Sequence, residues 1–101
     1  MKTITEKEKI TLAELKDMSK KMDDLVKAVV DIEKGIMSVD GELHSDEEAA
    51  LLEEGSEQEN LWGINLYPEL SGDDFIEFDS MINLRPSQNN RSRDIEDPEI
   101  R

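Results

Sequence analysis

Leu25 to Val39, reading L-V-K-A-V-V-D-I-E-K-G-I-M-S-V, decides the fold. Val26, Ala28, Val30 and Ile32 fall on one side of an extended chain, and Lys27, Asp31 and Glu33 fall on the other. A β-branched run that alternates with period two is a strand. Lys34-Gly35 supplies the turn, and Ile36 onward returns as a second strand, so the stretch predicts a hairpin. In the returning strand Met37, Val39 and Leu43 point inward, Ser38, Asp40, Glu42 and His44 point away, and Gly41 marks a bulge.

Upstream, Thr11 followed three residues later by Glu14 is a capping box, and Ile10 with Leu15 can form the hydrophobic staple. The helix they open is predicted over Leu12 to Met22, with Leu12, Leu15, Met18 and Met22 as one apolar stripe. Lys2 to Thr5 alternates weakly and reads as a short strand. Downstream, Ser45 opens a second capping box, and Asp46, Glu47 and Glu48 fill a first turn where the helix dipole favours carboxylates. Gly55 ends that helix. L-W-G-I-N-L-Y-P, residues 61–68, is a strand with Trp62, Ile64 and Leu66 on one face and Asn65 and Tyr67 on the other. After a turn at Ser71–Asp74, the last strand begins at Phe75. It places Ile76, Phe78, Ile82 and Leu84 inward and Glu77, Asp79, Met81, Asn83 and Arg85 outward, and Pro86 stops it. The order is βαββαββ. It predicts an α+β domain: a largely antiparallel sheet of four to five strands with both helices on one face. The 101 residues make a single domain, with residues 1–10 and 94–101 as loosely ordered ends and Pro98 placed to begin a further helix.

Composition narrows the class of function. The absence of Cys excludes a disulfide framework and a thiolate zinc site, and it fits a cytosolic setting. No signal-peptide core is present and no apolar run approaches the ~20 residues of a membrane span. The net charge of -14 is unevenly spread. Residues 1–34 hold eight Lys against eight acids, and residues 85–101 hold four Arg against four acids; the whole imbalance is the fourteen acids of residues 35–84, which contain no Lys or Arg. Such a block repels phosphate backbones and anionic membranes, so neither nonspecific nucleic-acid binding nor membrane attachment is expected. It suits cations, a basic partner, or simply a solvated surface that keeps the protein soluble.

V-K-A-V-V-D-I-E-K-G-I-M, G-E-L-H-S-D-E-E-A, L-W-G-I-N-L-Y-P and I-E-F-D-S-M-I-N-L-R-P-S-Q-N-N-R-S-R together resemble a family of small prokaryotic proteins classed as a domain of unknown function. The resemblance runs from Leu12 onward. It implies a prokaryotic source and a helical continuation after Arg101, and it brings no functional residues with it.

Function must therefore be read from the residues. If strand parity holds, one sheet face is polar, and it is either solvated or a shallow site. Asp31, Glu42, His44 and Asp79 on that face offer oxygen and imidazole ligands for a divalent cation, although no metal-binding spacing joins them. The alternative for His44 is a structural role before a helix. The loop R-P-S-Q-N-N-R-S-R is the one basic island: Arg85, Arg91 and Arg93, supported by Asn90, either recognise an anion or neutralise the acidic block and lock the loop to the sheet. These features fit a small noncatalytic binding protein, monomer or homodimer, with a protein or a small anion as partner. The alternative is a metal-dependent phosphoester hydrolase that combines the carboxylate and His cluster with the arginine loop.

Overall fold

A strand that alternates as residues 26–31 do has two usable faces, and this chain covers both. The computed structural model describes residues 2–4, 11–20, 24–88 and 90–96. In chain order it forms β1 (Lys2–Ile4), α1 (Leu12–Ser19), β2 (Val26–Asp31), β3 (Ile36–Val39), α2 (His44–Glu53), β4 (Leu61–Leu66) and β5 (Ile76–Glu77). Short 3₁₀ turns occupy Gln58–Asn60, Gly72–Asp74, Met81–Asn83 and Pro86–Gln88. The five strands form one sheet in the order β1-β3-β2-β4-β5, and every neighbouring pair is antiparallel. This is an α+β domain with the βαββαββ order that the sequence implies.

The placement of the helices differs from the sequence expectation. Val26, Ala28, Val39 and Leu66 pack with Ile4 and with Leu15 of α1 in one core. Val29 and Leu61 pack with Leu51 of α2 in another, which Ile36 and Ile82 complete. Ala28 and Val29 are successive in one strand and so point to opposite faces. The helices therefore lie on opposite sides of the sheet rather than sharing one. Val29, an apolar residue at the parity of Lys27 and Asp31, makes the second face buriable.

Local chemistry explains the element boundaries. Thr11 Oγ1 accepts from the Glu14 N–H at 3.1 Å, so the first N-cap is as expected. Leu12, read as part of the stripe, is half exposed. Ile10, Met22, Asn89 and Pro98 lie outside the described residues. At the β2–β3 turn, Asp31 Oδ1 accepts from the Glu33 and Lys34 N–H groups and Oδ2 accepts from Ser56 Oγ at 2.7 Å, while Gly35 takes the left-handed conformation at φ 67°. β3 stops at Val39, because Asp40 turns the chain out of the sheet at φ 63°. α2 then starts at His44, with Leu43 as an N-cap that contributes no side-chain bond, and Ser45 is an exposed residue inside the helix. The expected Ser45 cap is displaced by a longer contact, in which the buried Glu47 Oε2 reaches back to accept from the Gly41 N–H at 3.0 Å. Lys2–Ile4 is strand-paired and Ile95 is buried, so those parts of the two ends are held in place.

The last strand is much shorter than the sequence predicts, and four of its residues change sides, while Ile82 packs inward and Glu77 and Met81 face solvent as expected. β5 pairs with β4 only at Asn65–Glu77 and Leu66–Ile76. Farther along the β4 edge, Asn83 takes over with its side chain: Oδ1 accepts from the Gly63 N–H at 2.8 Å and Nδ2 donates to the Gly63 carbonyl at 2.9 Å. A side-chain amide thus replaces a strand partner, and residues 81–83 coil into a 3₁₀ turn that Ser80 Oγ caps. Asn83 and Arg85, expected outside, are buried; Ile76 and Leu84, expected inside, are exposed. Gly63 permits this approach, because a Cβ there would lie 2.6 Å from Ser80 Cβ. Replacing Asn83 with Ala would leave both Gly63 groups without their partner and take one of two donors, 2.9 Å away, from the Arg93 carbonyl, which keeps the Ser80 N–H. Asn83→Ala should lower the unfolding free energy in a urea titration by about 3 kcal/mol, at roughly 1 to 3 kcal/mol for each unpaired buried group before relaxation. A loss under about 1 kcal/mol would show that the amide is dispensable.

Candidate functional site

The chemistry-bearing side chains converge where the first turn of α2 passes over β2 and β4 and faces residues 79–82. A cavity of about 280 Å³ opens there between Lys27 of β2, Leu43 and His44 at the helix start, Asn65 of β4, and Asp79 and Met81. Arg93 closes one side from the C-terminal loop, its Nε 2.7 Å from Asp79 Oδ1. Both members of that pair are about half exposed.

His44 is buried, with Nε2 2.8 Å from the Ile64 carbonyl. A carbonyl only accepts, so Nε2 carries the hydrogen and Nδ1 holds the lone pair. Burial lowers the imidazole pKa below its usual value, Lys27 and Arg93 lower it further, and the Ile64 carbonyl and Asp79 oppose them. His44 is therefore neutral near pH 7 and fixes the helix start to β4. Asn65 Nδ2 donates to Glu77 Oε1 at 2.9 Å and to the Asp79 carbonyl at 3.2 Å, which holds residue 79 at the cavity wall. Lys27 is half-buried and has no hydrogen-bond or ion-pair partner among the described residues. No side chain caps the start of α2, so its first N–H groups and the positive end of the helix dipole add to the field of Lys27.

The expected metal ligands fall in separate places. Asp31 is fully buried in the β2–β3 turn with both oxygens engaged. Glu42 is exposed on the loop before α2, and only His44 and Asp79 share the cavity. Among the described residues no group of three or more His, Cys, Asp and Glu is placed to hold a metal ion. Strand parity grouped the four because it took β3 to run on through His44 and β5 through Asp79, and neither strand extends so far.

The basic loop resolves by residue. The Arg85 guanidinium lies 4.8 Å from the Trp62 ring centroid, donates to the Leu61 carbonyl, and stands 3.5 Å from Glu48 Oε2. Burial lowers its pKa and Glu48 counters this. Asn90 is buried and ties the loop together, donating to the Asn83, Ser92 and Asp94 carbonyls and accepting from the Glu96 N–H. Arg85 and Asn90 are thus structural rather than anion-recognising. Arg91 is exposed beside Glu96, whose carboxylate accepts from the Ser92 hydroxyl and the Arg91 N–H and is held below its usual pKa by those bonds. Of the four expected anion-binding residues, only Arg93 borders the cavity.

Sequence reasoning undervalued two residues. Lys27 was only one member of a polar face, and Glu47 only a helix-start acid. The signal for Glu47 was its spacing, since His44, Glu47 and Leu51 recur at three and four residues and form the inward stripe of α2. A second, open depression of about 430 Å³ lies beside Tyr67, Asp74, Glu77 and Asp94. Its three carboxylates disfavour anions there.

The sequence model of a protein family of unknown function, DUF5674, matches residues 3–101, and the chain belongs to that family. No curated protein and no solved structure matches it.

Glu47 sits next to the cavity, fully buried, with Oε1 unpartnered and Oε2 holding Gly41. Burial pushes its pKa up to about 8, against the Gly41 N–H and the charge of Lys27. The folded state therefore binds this proton more tightly than the unfolded chain, whose carboxyl has the ordinary value near 4.5. The resulting stability is fully present below that ordinary value and is lost as the pH rises to about 8, at up to about 1.4 kcal/mol per pH unit. Urea midpoints taken at pH 5, 6.5 and 8 should fall for the native chain and change far less for Glu47→Gln, which should be the more stable protein at pH 8. Parallel curves for the two would place the titrating group elsewhere.

Proposed function

We propose that this member of the DUF5674 family is a noncatalytic binding protein that holds a small anion in the cavity beside Lys27. One observation carries the reading: Lys27 is a half-buried cation without a partner among the described residues, in a chain of net charge -14. A half-buried Lys side chain beside an uncapped helix start offers a bound anion favourable electrostatics. The block of residues 35–84 has no cation of its own, and the fold supplies the cavity from both flanks, with Lys27 before the block and Arg93 after it. The groups nearest to acid–base chemistry are committed elsewhere: His44 Nε2 to a carbonyl, Asp79 to Arg93, and Ser80 Oγ to the Ile82 N–H. That commitment favours holding a ligand over transforming one.

The test is amide chemical-shift mapping with sodium acetate and sodium phosphate, against sodium chloride at equal ionic strength. Saturable shifts at Lys27, His44, Ser45 and Asn65, with Kd on the order of 1 mM for a fragment of this size, are expected. They should vanish in Lys27→Gln while its other amides stay in place. Shifts spread evenly over the surface, or unchanged in Lys27→Gln, would overturn the assignment.

A further inference from the structure

The cavity that holds Lys27 also exposes two large apolar side chains at its mouth. Met81 is 63% and Leu43 55% exposed, the two highest values for large hydrophobic residues among the described residues, and both line this one cavity, as does the half-buried Ile82. Their exposure follows from the backbone. Ser80 caps the 3₁₀ turn and Asn83 points into the sheet edge, so Met81 is turned outward. Leu43 occupies the N-cap position of α2, where a Ser or Asp would complete the helix start. An apolar residue at a cap position forgoes a hydrogen bond, and here it contributes an apolar wall instead.

The charge on the walls limits the anion. Lys27 and Arg93 are positive, Asp79 is negative, and His44 is neutral, so two cations against one carboxylate leave a single net positive charge. A monoanion matches that charge. A phosphate dianion brings a second negative charge against Asp79 with no second free cation to meet it. The volume sets a further limit, since about 280 Å³ equals the liquid volume of roughly nine waters, enough for a short branched acid and too small for a long acyl chain.

We infer that the ligand is a monocarboxylate carrying a branched apolar group, its carboxylate at Lys27 and its hydrocarbon against Leu43, Met81 and Ile82. The inference rests on the reading of the cavity as an anion site and adds the apolar half of the ligand. Such chemistry has two sources, a free branched acid and the C-terminal residue of a polypeptide.

Binding to the full chain is measured by shift mapping for acetate, 4-methylpentanoate, N-acetyl-leucine, uncharged N-acetyl-leucinamide and phosphate. The branched acids should bind about tenfold or more tighter than acetate, because they bury additional methylene and methyl groups. N-acetyl-leucinamide should lose that affinity, and phosphate should bind more weakly than acetate. Leu43→Ser and Met81→Ser, both at exposed positions, should erase the branched-acid advantage and leave acetate binding in place. A preference for N-acetyl-leucine over 4-methylpentanoate identifies a chain end, and the reverse preference a free acid. If acetate binds at Lys27 but the branched acids bind no tighter, the apolar half is wrong and the anion site stands. If no anion shifts Lys27, both fall.

Discussion

The structure depends on how the edge of β4 is satisfied where β5 gives out. A sheet edge inside a core must pair its N–H and carbonyl groups, since each left dry costs roughly 1 to 3 kcal/mol. Here Gly63 pairs with the amide of Asn83 instead of a strand. The consequences spread from that exchange. The absence of a Gly63 side chain lets Ser80 close in, Ile82 drops onto Leu51 and the second core, and Arg85 is drawn under the chain to Leu61 and Glu48. The Arg93 carbonyl accepts from the Ser80 N–H and from Asn83 Nδ2, so the C-terminal loop is fastened to the same point. The cavity wall at Asp79–Ile82 and the position of Arg93 both derive from one side-chain amide.

Two buried carboxylates show what decides the state of an acid inside this small domain. Neither Asp31 nor Glu47 exposes its side chain to solvent, but Asp31 sits in a turn near the surface and Glu47 lies deeper, under the first turn of α2. Burial acts on Asp31 as the largest single influence and pushes its pKa up, yet the Lys34 and Glu33 N–H groups, the Ser56 hydroxyl and the Lys34 charge together hold it below the usual carboxylate value. Glu47 has one N–H donor, and burial wins. Depth and the number of donors together separate the turn anchor from the core group: Glu47 lies deeper and has fewer donors, so burial prevails there, while three donors and the Lys34 charge prevail at Asp31. Glu47, raised well above the usual carboxylate range by burial, is opposed in this by the nearby Lys27 charge. The buried acid and the open cation are therefore two aspects of one arrangement.

Much of the fold was legible in the sequence, because period and turn chemistry are local. The β2–β3 hairpin, the Thr11 cap, the strand at residues 61–66 and the βαββαββ order follow from residues close in the chain. What was not legible depends on distant partners. No local signal says that Asn83 will serve as a strand partner for Gly63, twenty residues earlier, and without that fact Asn83 and Arg85 are read as outward and Leu84 as inward. Running β3 on through His44 and β5 through Asp79 likewise groups Asp31, Glu42, His44 and Asp79 as a metal cluster, and a continued β5 aims Arg85 at solvent when it belongs against Trp62. The opposite placement of the helices was recoverable: Val29 interrupts the polar face of β2, and Leu51 continues the stripe of His44 and Glu47.

The positive cavity in an acidic protein has a simple electrostatic origin. The acids of residues 35–84 are placed mostly on solvent-exposed positions, where water and salt screen them beyond about 10 Å. Lys27 is on a central strand under a helix, where screening is weaker and a neighbouring charge counts for more. A ligand at the cavity therefore meets the nearby cation strongly and the surface acids weakly, while a diffusing polyanion meets the acidic surface first. Under the proposed reading, such an arrangement favours a small monoanion over a polyanion. The excess of acid is thus compatible with the proposed anion site.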